Sequence, residues 1–136
     1  MSERRVNVEQ DASVRNSSSE ESRAIRTIKI QTEELGFQTN EAIKMLRANI
    51  QFSGYGMKAI AMTSCRANEG KSFVSFELAK SLAELGERTL YLDCDIRNSA
   101  AQARLGVTEK LPGLSDFLVG KAQIGDILCK TDVPHL

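Results

Sequence analysis

One loop constrains the fold of this chain more than any other stretch: Thr63–Ser72, with the sequence TSCRANEGKS. The apolar run Lys58–Met62 before it predicts a short β-strand, and a helical pattern follows from Lys71. A strand, a loop ending in Gly-Lys-Ser and a helix form a phosphate cradle, because backbone N–H groups and the positive end of the helix surround the anion. In such a cradle the Lys71 ammonium reaches phosphate oxygens and the Ser72 hydroxyl binds Mg²⁺. The alternative is an ordinary strand-to-helix turn that contains a lysine.

The loop departs from the usual G-x-x-x-x-G-K-S/T pattern at its first glycine, where Cys65 stands. Two interpretations of Cys65 remain open. It is either a small residue where the loop folds close to phosphate, or an oxidisable thiol near Lys71 and a helix N-terminus. Arg66, the next residue, either touches nucleotide or is simply exposed.

A second apolar run, Arg88–Asp95, ends in two carboxylates. Because side chains alternate faces along a strand, Asp93 and Asp95 are predicted to project to the same side. The carboxyl ends of parallel strands meet at one edge of the sheet, where the phosphate loop is also expected. The pair therefore predicts a metal or proton site beside the loop, and the alternative is two solvated carboxylates. Arg97 follows the pair and either contacts nucleotide or is exposed.

The composition excludes several classes of protein. The 136 residues carry a formal net charge of zero with 26% charged residues, which argues against a strongly basic nucleic-acid binder. No apolar run approaches the roughly 20 residues needed to span a bilayer, and the N-terminus is too polar for a signal peptide. Three cysteines and one histidine lack the spacing of metal ligands. We expect a cytoplasmic protein with reduced thiols and no nucleic-acid partner.

The chain divides into a predicted polar leader, residues 1–36, and a nucleotide-binding part, residues 37–136. The leader is rich in Ser, Arg and Glu and has few large apolar side chains, which predicts flexibility. A helix is predicted from Glu41 to about Phe52, with Thr39 or Asn40 as its N-cap and Gly54 as its end.

A second helix is predicted from Lys71 to Leu85, with Gly86 as its C-terminal cap. Three short helices are expected further on, over 100–105, after Pro112 and over 123–128. The fold class is therefore α/β, a P-loop NTPase-like parallel sheet flanked by helices. The sheet looks truncated, because only two strands are predicted where such domains have about five or more.

Four motifs together resemble the bacterial tyrosine kinases that control capsule and exopolysaccharide export, the BY-kinases. The family patterns are E-x-x-R-x-x-R, E-G-K-S/T, D-x-D-x-R and P-G-L-S-D-x-L-x-G. Here they appear as Glu41-x-x-Lys44-x-x-Arg47, Glu69-Gly70-Lys71-Ser72, Asp93-Cys-Asp95-Ile-Arg97 and Pro112–Gly120. Lys44 replaces an arginine, and the family's later acidic motif and C-terminal tyrosine cluster are not found.

The resemblance implies an ATP- and Mg²⁺-dependent kinase that phosphorylates tyrosines on its own tail and on other proteins. By family, Lys71, Asp93 and Asp95 would be catalytic, and Ser72 would join the two aspartates in holding the metal. The nucleotide-binding positions implied are Asn68, Glu69, Gly70, Lys71, Ser72, Phe73 and Arg97.

The resemblance also implies partners. Glu41, Lys44 and Arg47 would form a self-association element, whereas their charge pattern alone predicts a solvated helix flank. The family type without a membrane segment has a separate transmembrane activator, which implies a location in the cytoplasm or at the inner face of the membrane through that partner.

Two rival functions remain open from the sequence. One is an ATPase of the ParA/MinD group, which shares the fold but has a lysine at the position of Arg66 and glycines at Ala67 and Asn68. The other is a truncated, non-catalytic module that binds nucleotide or a partner. Glu69 and the helix that contains Glu41 favour the kinase.

Overall fold

The computed structural model describes residues 25–31, 34–54, 56–96, 102 and 105–136. Within this part of the chain, four helices and two strands are formed, so the α/β class predicted from the sequence is confirmed in its broad form. In chain order the elements are β1 (Arg26–Ile28), α1 (Phe37–Ser53), α2 (Lys71–Glu84), α3 (Leu114–Leu118), α4 (Ile124–Ile127) and β2 (Cys129–Thr131).

The sheet consists of β1 and β2, which pair in parallel with Arg26 opposite Cys129. Just beyond the ladder, Ile30 N–H donates to Asp132 Oδ1 at 2.9 Å and Asp132 N–H donates to Ile28 O at 3.2 Å. These bonds hold the two ends of the described chain together. The described part of the predicted leader therefore contains β1, while residues 1–24 and 32–33 lie outside the described residues.

The strands predicted over Lys58–Met62 and Arg88–Asp95 are wrong, because no strand is formed anywhere within residues 56–96. A strand needs a neighbour to accept and donate its backbone hydrogen bonds. The first segment is largely exposed, and Leu90 and Leu92 of the second remain 68% and 54% exposed. The apolar pattern therefore predicted strands in two segments that pair with no other strand in this structure.

The predicted first helix exists but begins earlier than expected. Helix α1 starts at Phe37 with Gly36 as its N-cap, and Asn40 N–H donates to Gly36 O at 3.0 Å. The prediction that Thr39 or Asn40 would be the N-cap is therefore wrong. The predicted end is confirmed, because Gly54 is the C-cap.

The predicted second helix is confirmed over Lys71–Glu84. Gly86 adopts a left-handed φ of 88° and its N–H donates to Ala83 O at 2.8 Å, while Glu87 N–H donates to Leu82 O at 3.3 Å. These two bonds define a Schellman ending, in which glycine tolerates the left-handed backbone. Helix α2 packs against α1. The core of the described chain consists of Ile43, Phe76, Leu78, Ala79, Ala83 and Leu105.

Two of the three short helices are confirmed as α3 and α4. Each begins with a carboxylate that accepts a backbone N–H: Asp116 Oδ2 from Gly113 at 2.9 Å and Asp126 Oδ2 from Gln123 at 3.0 Å. A carboxylate in the first turn satisfies a free donor and complements the helix dipole. The helix predicted over 100–105 falls mainly outside the described residues.

A mostly apolar cavity of about 220 Å³ lies between the sheet, α2 and α3, lined by residues that include Ile28, Phe76, Leu114 and Leu136. None of the helices described is both long enough and apolar enough to cross a membrane.

Candidate functional site

The loop before α2 contains two residues with left-handed backbone conformations. Asn68 has a φ of 64° and Gly70 a φ of 85°. Asparagine and glycine are the residues that adopt this region most readily. The helix then begins at Lys71, and Val74 N–H donates to Gly70 O at 2.9 Å. The loop therefore turns sharply into the amino end of α2, where the first N–H groups have no partner within the helix.

The carboxylate of Glu69 is used inside this loop. Its Oε2 accepts the Arg66 N–H at 3.1 Å, and Ser64 Oγ donates to Arg66 O at 3.1 Å. Both bonds involve the Arg66 backbone rather than its side chain. Glu69 therefore stabilises the turn of the loop by accepting a backbone hydrogen bond.

The two aspartates predicted as a pair lie together. Asp95 N–H donates to Asp93 Oδ1 at 2.9 Å, and Ile96 N–H donates to Cys94 O at 3.0 Å. Both side chains are half-buried. The segment therefore turns tightly around the pair instead of ending a strand.

The loop and the aspartate pair meet through one ion pair. Lys71 Nζ lies 3.8 Å from Asp95 Oδ2, with the two side chains 35% and 36% exposed. An anion that contacts the amino end of α2 would therefore meet a lysine and a carboxylate at once.

Aromatic packing brings the aspartate segment to α2. The rings of Phe76 and Tyr91 meet edge to face, with centroids 5.4 Å apart and an interplanar angle of 86°. Such pairs contribute about 0.5–1.5 kcal/mol beyond their buried area. Thr89 N–H also donates to His135 O at 2.8 Å. Tyr91 precedes Asp93 by two residues. These contacts therefore hold the aspartate segment close to α2 and to the loop that precedes it.

The residues predicted to hold Mg²⁺ are oxygen donors of the kind that this ion binds. No group of three or more His, Cys, Asp or Glu side chains in the described chain could hold a metal ion alone. Mg²⁺ does not require one, because it is usually bound through one or two carboxylates, waters and substrate phosphates. Asp93, Asp95 and the Ser72 hydroxyl at the start of α2 therefore stay a predicted Mg²⁺ site.

The charged flank of α1 divides into an outward and an inward part. Glu41 Oε1 and Lys44 Nζ form an ion pair at 2.9 Å, and each side chain is 46% exposed. Arg47 instead donates from Nη1 to Ser81 O at 2.9 Å and to Ser81 Oγ at 2.8 Å. The self-association role of the three residues stays a prediction.

Of the other predicted positions, Phe73 is 37% exposed in the first turn of α2, and Arg97 lies outside the described residues.

Sequence reasoning missed the polar residues on the buried face of α2. Glu77 and Ser81 are only 4% and 6% exposed. Burial raises the pKa of the Glu77 carboxyl, with Lys80 lowering it and Glu84 raising it by smaller amounts. The sequence did contain a signal that Glu77 and Ser81 lie on the same face of α2, because residues four apart share a helix face.

Comparison with curated proteins shows which proteins the chain is similar to. Tyrosine-protein kinase CpsD of Streptococcus agalactiae is 46% identical over 99 residues, which are 73% of this chain and 43% of that protein. CpsD of Streptococcus pneumoniae is 38% identical over 112 residues, 81% of this chain and 49% of its own length. Tyrosine-protein kinase Wzc of Salmonella typhi is 35% identical over 97 residues, 70% of this chain and 13% of that protein.

The chain is homologous to a segment of the bacterial tyrosine kinases, and the resemblance predicted from its four motifs is confirmed. It spans just under half the length of the CpsD proteins it matches. No protein-family model matches the chain. No solved structure matches it either.

Proposed function

We propose that the chain provides the nucleotide-binding part of an ATP-dependent protein-tyrosine kinase of the P-loop type, acting in capsule or exopolysaccharide synthesis and export. The observation that carries the proposal is the ion pair between Lys71 and Asp95, because it joins the loop at the start of α2 to the aspartate pair. The names of the homologous proteins support tyrosine as the acceptor.

In the proposed reaction, the amino end of α2 and the Lys71 ammonium bind the phosphates of ATP and neutralise their charge. Ser72, Asp93 and Asp95 would hold Mg²⁺, which supplies electrostatic stabilisation of the transferring phosphoryl group. One of the two aspartates accepts the proton of the tyrosine hydroxyl while the tyrosine oxygen bonds to the γ-phosphorus of ATP and ADP leaves. The hydrogen bond from the Asp95 backbone N–H to Asp93 Oδ1 fixes the Asp93 carboxylate against the Asp95 backbone.

The loop residues orient the nucleotide. Asn68 and Gly70 supply the left-handed turns that direct the loop backbone toward the helix end. Glu69 fixes the loop through the Arg66 N–H. A fixed loop needs little reorganisation when the phosphates bind, and positioning accounts for most of phosphoryl-transfer catalysis.

Two partners belong to the proposal. A separate transmembrane activator would bring the kinase to the inner face of the membrane, and the Glu41–Lys44 part of α1 would contribute to self-association. The exposed ion pair between Glu41 and Lys44 leaves both charges accessible to another molecule.

The test is transfer of labelled phosphate from γ-labelled ATP to a tyrosine peptide by the purified protein with Mg²⁺. The kinase proposal expects ATP binding by the chain and, when the chain is assayed as part of a full-length kinase of this type, labelled phosphotyrosine that disappears in Lys71→Met. Release of inorganic phosphate without labelled peptide would favour the ParA/MinD type of ATPase. ATP binding without either product would favour a non-catalytic module.

A further inference from the structure

The backbone of Arg66 is held on both sides by side chains of its own loop. Ser64 Oγ donates to Arg66 O at 3.1 Å, and Glu69 Oε2 accepts the Arg66 N–H at 3.1 Å. These two bonds fix both peptide groups that flank the Arg66 Cα, and therefore its φ and ψ angles. We call this arrangement the Arg66 clamp. The Arg66 side chain takes no part in either bond.

The Arg66 clamp encloses the strained part of the loop. The bond to Glu69 closes a turn whose central residues are Ala67 and Asn68, and Asn68 has a left-handed φ of 64°. A residue other than glycine stays in this region only when its surroundings hold it there. The loop contains no glycine between Thr63 and Glu69. The clamp therefore supplies through side-chain bonds a shape that other phosphate loops obtain from glycine.

The clamped turn leads directly into the start of α2. Gly70, the residue after Glu69, has a φ of 85°, and its carbonyl accepts the Val74 N–H at 2.9 Å. Lys71 follows as the first residue of the helix, and its Nζ lies 3.8 Å from Asp95 Oδ2. Only Gly70 therefore separates Glu69 from the lysine proposed to bind phosphate.

We propose that Ser64 and Glu69 are positioning residues for the nucleotide, which hold the loop in its phosphate-binding shape before ATP arrives. Ser64 thereby has a role that its place in the sequence did not indicate, and the Glu69 carboxylate acts on the loop backbone rather than on the nucleotide. A loop that is fixed in advance loses less conformational freedom when phosphate binds, and this raises affinity. The clamp itself is given by the two hydrogen bonds, whereas its effect on ATP rests on the proposed function.

The experiment compares variants of the loop in the purified protein with matched controls. Glu69→Ala and Ser64→Ala each remove one bond of the clamp, and the double variant removes both. Glu69→Gln removes the charge but retains an acceptor oxygen, and Ser64→Thr retains the hydroxyl. As controls, Glu87→Ala removes an exposed carboxylate beyond the other end of α2, and Ser53→Ala removes a hydroxyl that donates to Asn49 O on α1 at 2.6 Å.

The first measurement is amide hydrogen exchange of the Arg66 N–H in the absence of nucleotide, followed by NMR. We expect Glu69→Ala to speed this exchange roughly 3- to 10-fold, the change that the loss of one hydrogen bond produces. Ser64→Ala should give a smaller increase, and Glu69→Gln should recover most of the wild-type protection. The two control variants should leave the exchange rate unchanged. Unchanged exchange of Arg66 in Glu69→Ala would overturn the clamp.

The second measurement is the affinity for labelled ATP in the presence of Mg²⁺. We expect Glu69→Ala and Ser64→Ala each to weaken binding roughly two- to tenfold, because a loop that is less fixed must be ordered by the ligand. The double variant should lose less than the product of the two single losses, because both bonds act on one residue. Glu69→Gln and Ser64→Thr should recover most of the lost affinity.

Three results would reject the positioning role. One is an equal loss in Glu69→Gln and Glu69→Ala, which would show that the carboxylate charge itself acts at the nucleotide. The others are tighter ATP binding in Glu69→Ala and fully multiplicative losses in the double variant. A wild-type protein that binds no ATP would refute the proposed function together with the positioning role, while the exchange data would still decide the clamp.

Discussion

Lys71 and Asp95 form an ion pair across the candidate site, with 3.8 Å between Nζ and Oδ2. Both side chains are about one-third exposed, so the pair adds little to stability. Its importance is positional. A phosphate group that reaches the loop must compete with Asp95 for the Lys71 ammonium, and it also approaches the negative charge of that carboxylate.

Asp95→Asn separates these two effects. Without Mg²⁺, we expect ATP to bind more tightly, by up to about fivefold, because an exposed ion pair of this strength no longer competes. With Mg²⁺, transfer to tyrosine should fall about 100-fold or more, because a group that holds metal or accepts the proton is lost. Titration with labelled ATP and a transfer assay check both. Glu109→Gln, an exposed charge change, should do neither, and weaker ATP binding without Mg²⁺ would contradict the competition.

Lys71→Met should weaken ATP binding roughly tenfold or more, the loss typical of a hydrogen bond to a charged group. Arg66→Ala should have a smaller effect, because Arg66 supports the loop through its backbone N–H and carbonyl, which alanine retains. A titration with labelled ATP and Mg²⁺ compares the two variants. Equal losses would return Arg66 to the role of the signature residue in the ParA/MinD group.

Glu77→Gln should stabilise the protein at neutral pH. Burial raises the pKa of Glu77 above its usual 4.5, so the folded state binds this proton more tightly than the unfolded state does. The carboxyl's favourable contribution is therefore present below about that pH and is lost as the pH rises through the raised pKa. Urea unfolding over a pH series should show the advantage of Glu77→Gln growing above pH 4.5. The exposed control Glu87→Gln should show no such trend, and a pH-independent difference for Glu77→Gln would exclude the linkage.

Glu41→Lys should shift the protein toward monomer on sedimentation, more strongly at low salt, because exposed charge pairs are screened. The variant also breaks the pair with Lys44, at a cost of a few tenths of a kcal/mol to α1. Combining it with Lys44→Glu restores the pair within the helix but not the pairing with a partner. We expect the double variant to remain monomeric. An unchanged oligomer distribution in both variants would show that Glu41 and Lys44 belong to a solvated helix flank with no role in self-association.

The helices were predictable because their signals are local. Apolar spacing and the glycines at 54 and 86 indicated α1 and α2 to within a few residues. The position of Arg47 could also have been inferred, since it follows buried Ile43 by four residues and so shares its face. The exposed-flank interpretation gave more weight to charge than to that spacing.

The sheet was not predictable because its pairing is non-local. Strands β1 and β2 are three residues each and lie at opposite ends of the described chain, so neither carries a readable period. The stronger apolar runs at Lys58–Met62 and Leu90–Leu92 lack neighbours to complete a ladder. In the candidate site, the sequence predicted that Lys71 and Asp95 lie close together, because both are residue types of a phosphate-binding site. The contact between the Phe76 and Tyr91 rings was not predictable, because it depends on how the chain packs after the intervening loop.

Gly70 precedes α2 and Gly86 follows it, and both have left-handed φ angles, of 85° and 88°. They fix both the length of the helix and its rotational phase. Lys71 and Ser81 are ten residues apart, so about 15 Å and a set rotation about the axis separate the loop from the Arg47 contact. A single residue inserted between them would turn Ser81 by about 100° relative to Lys71. The helix therefore tolerates changes of side chain far better than changes of length.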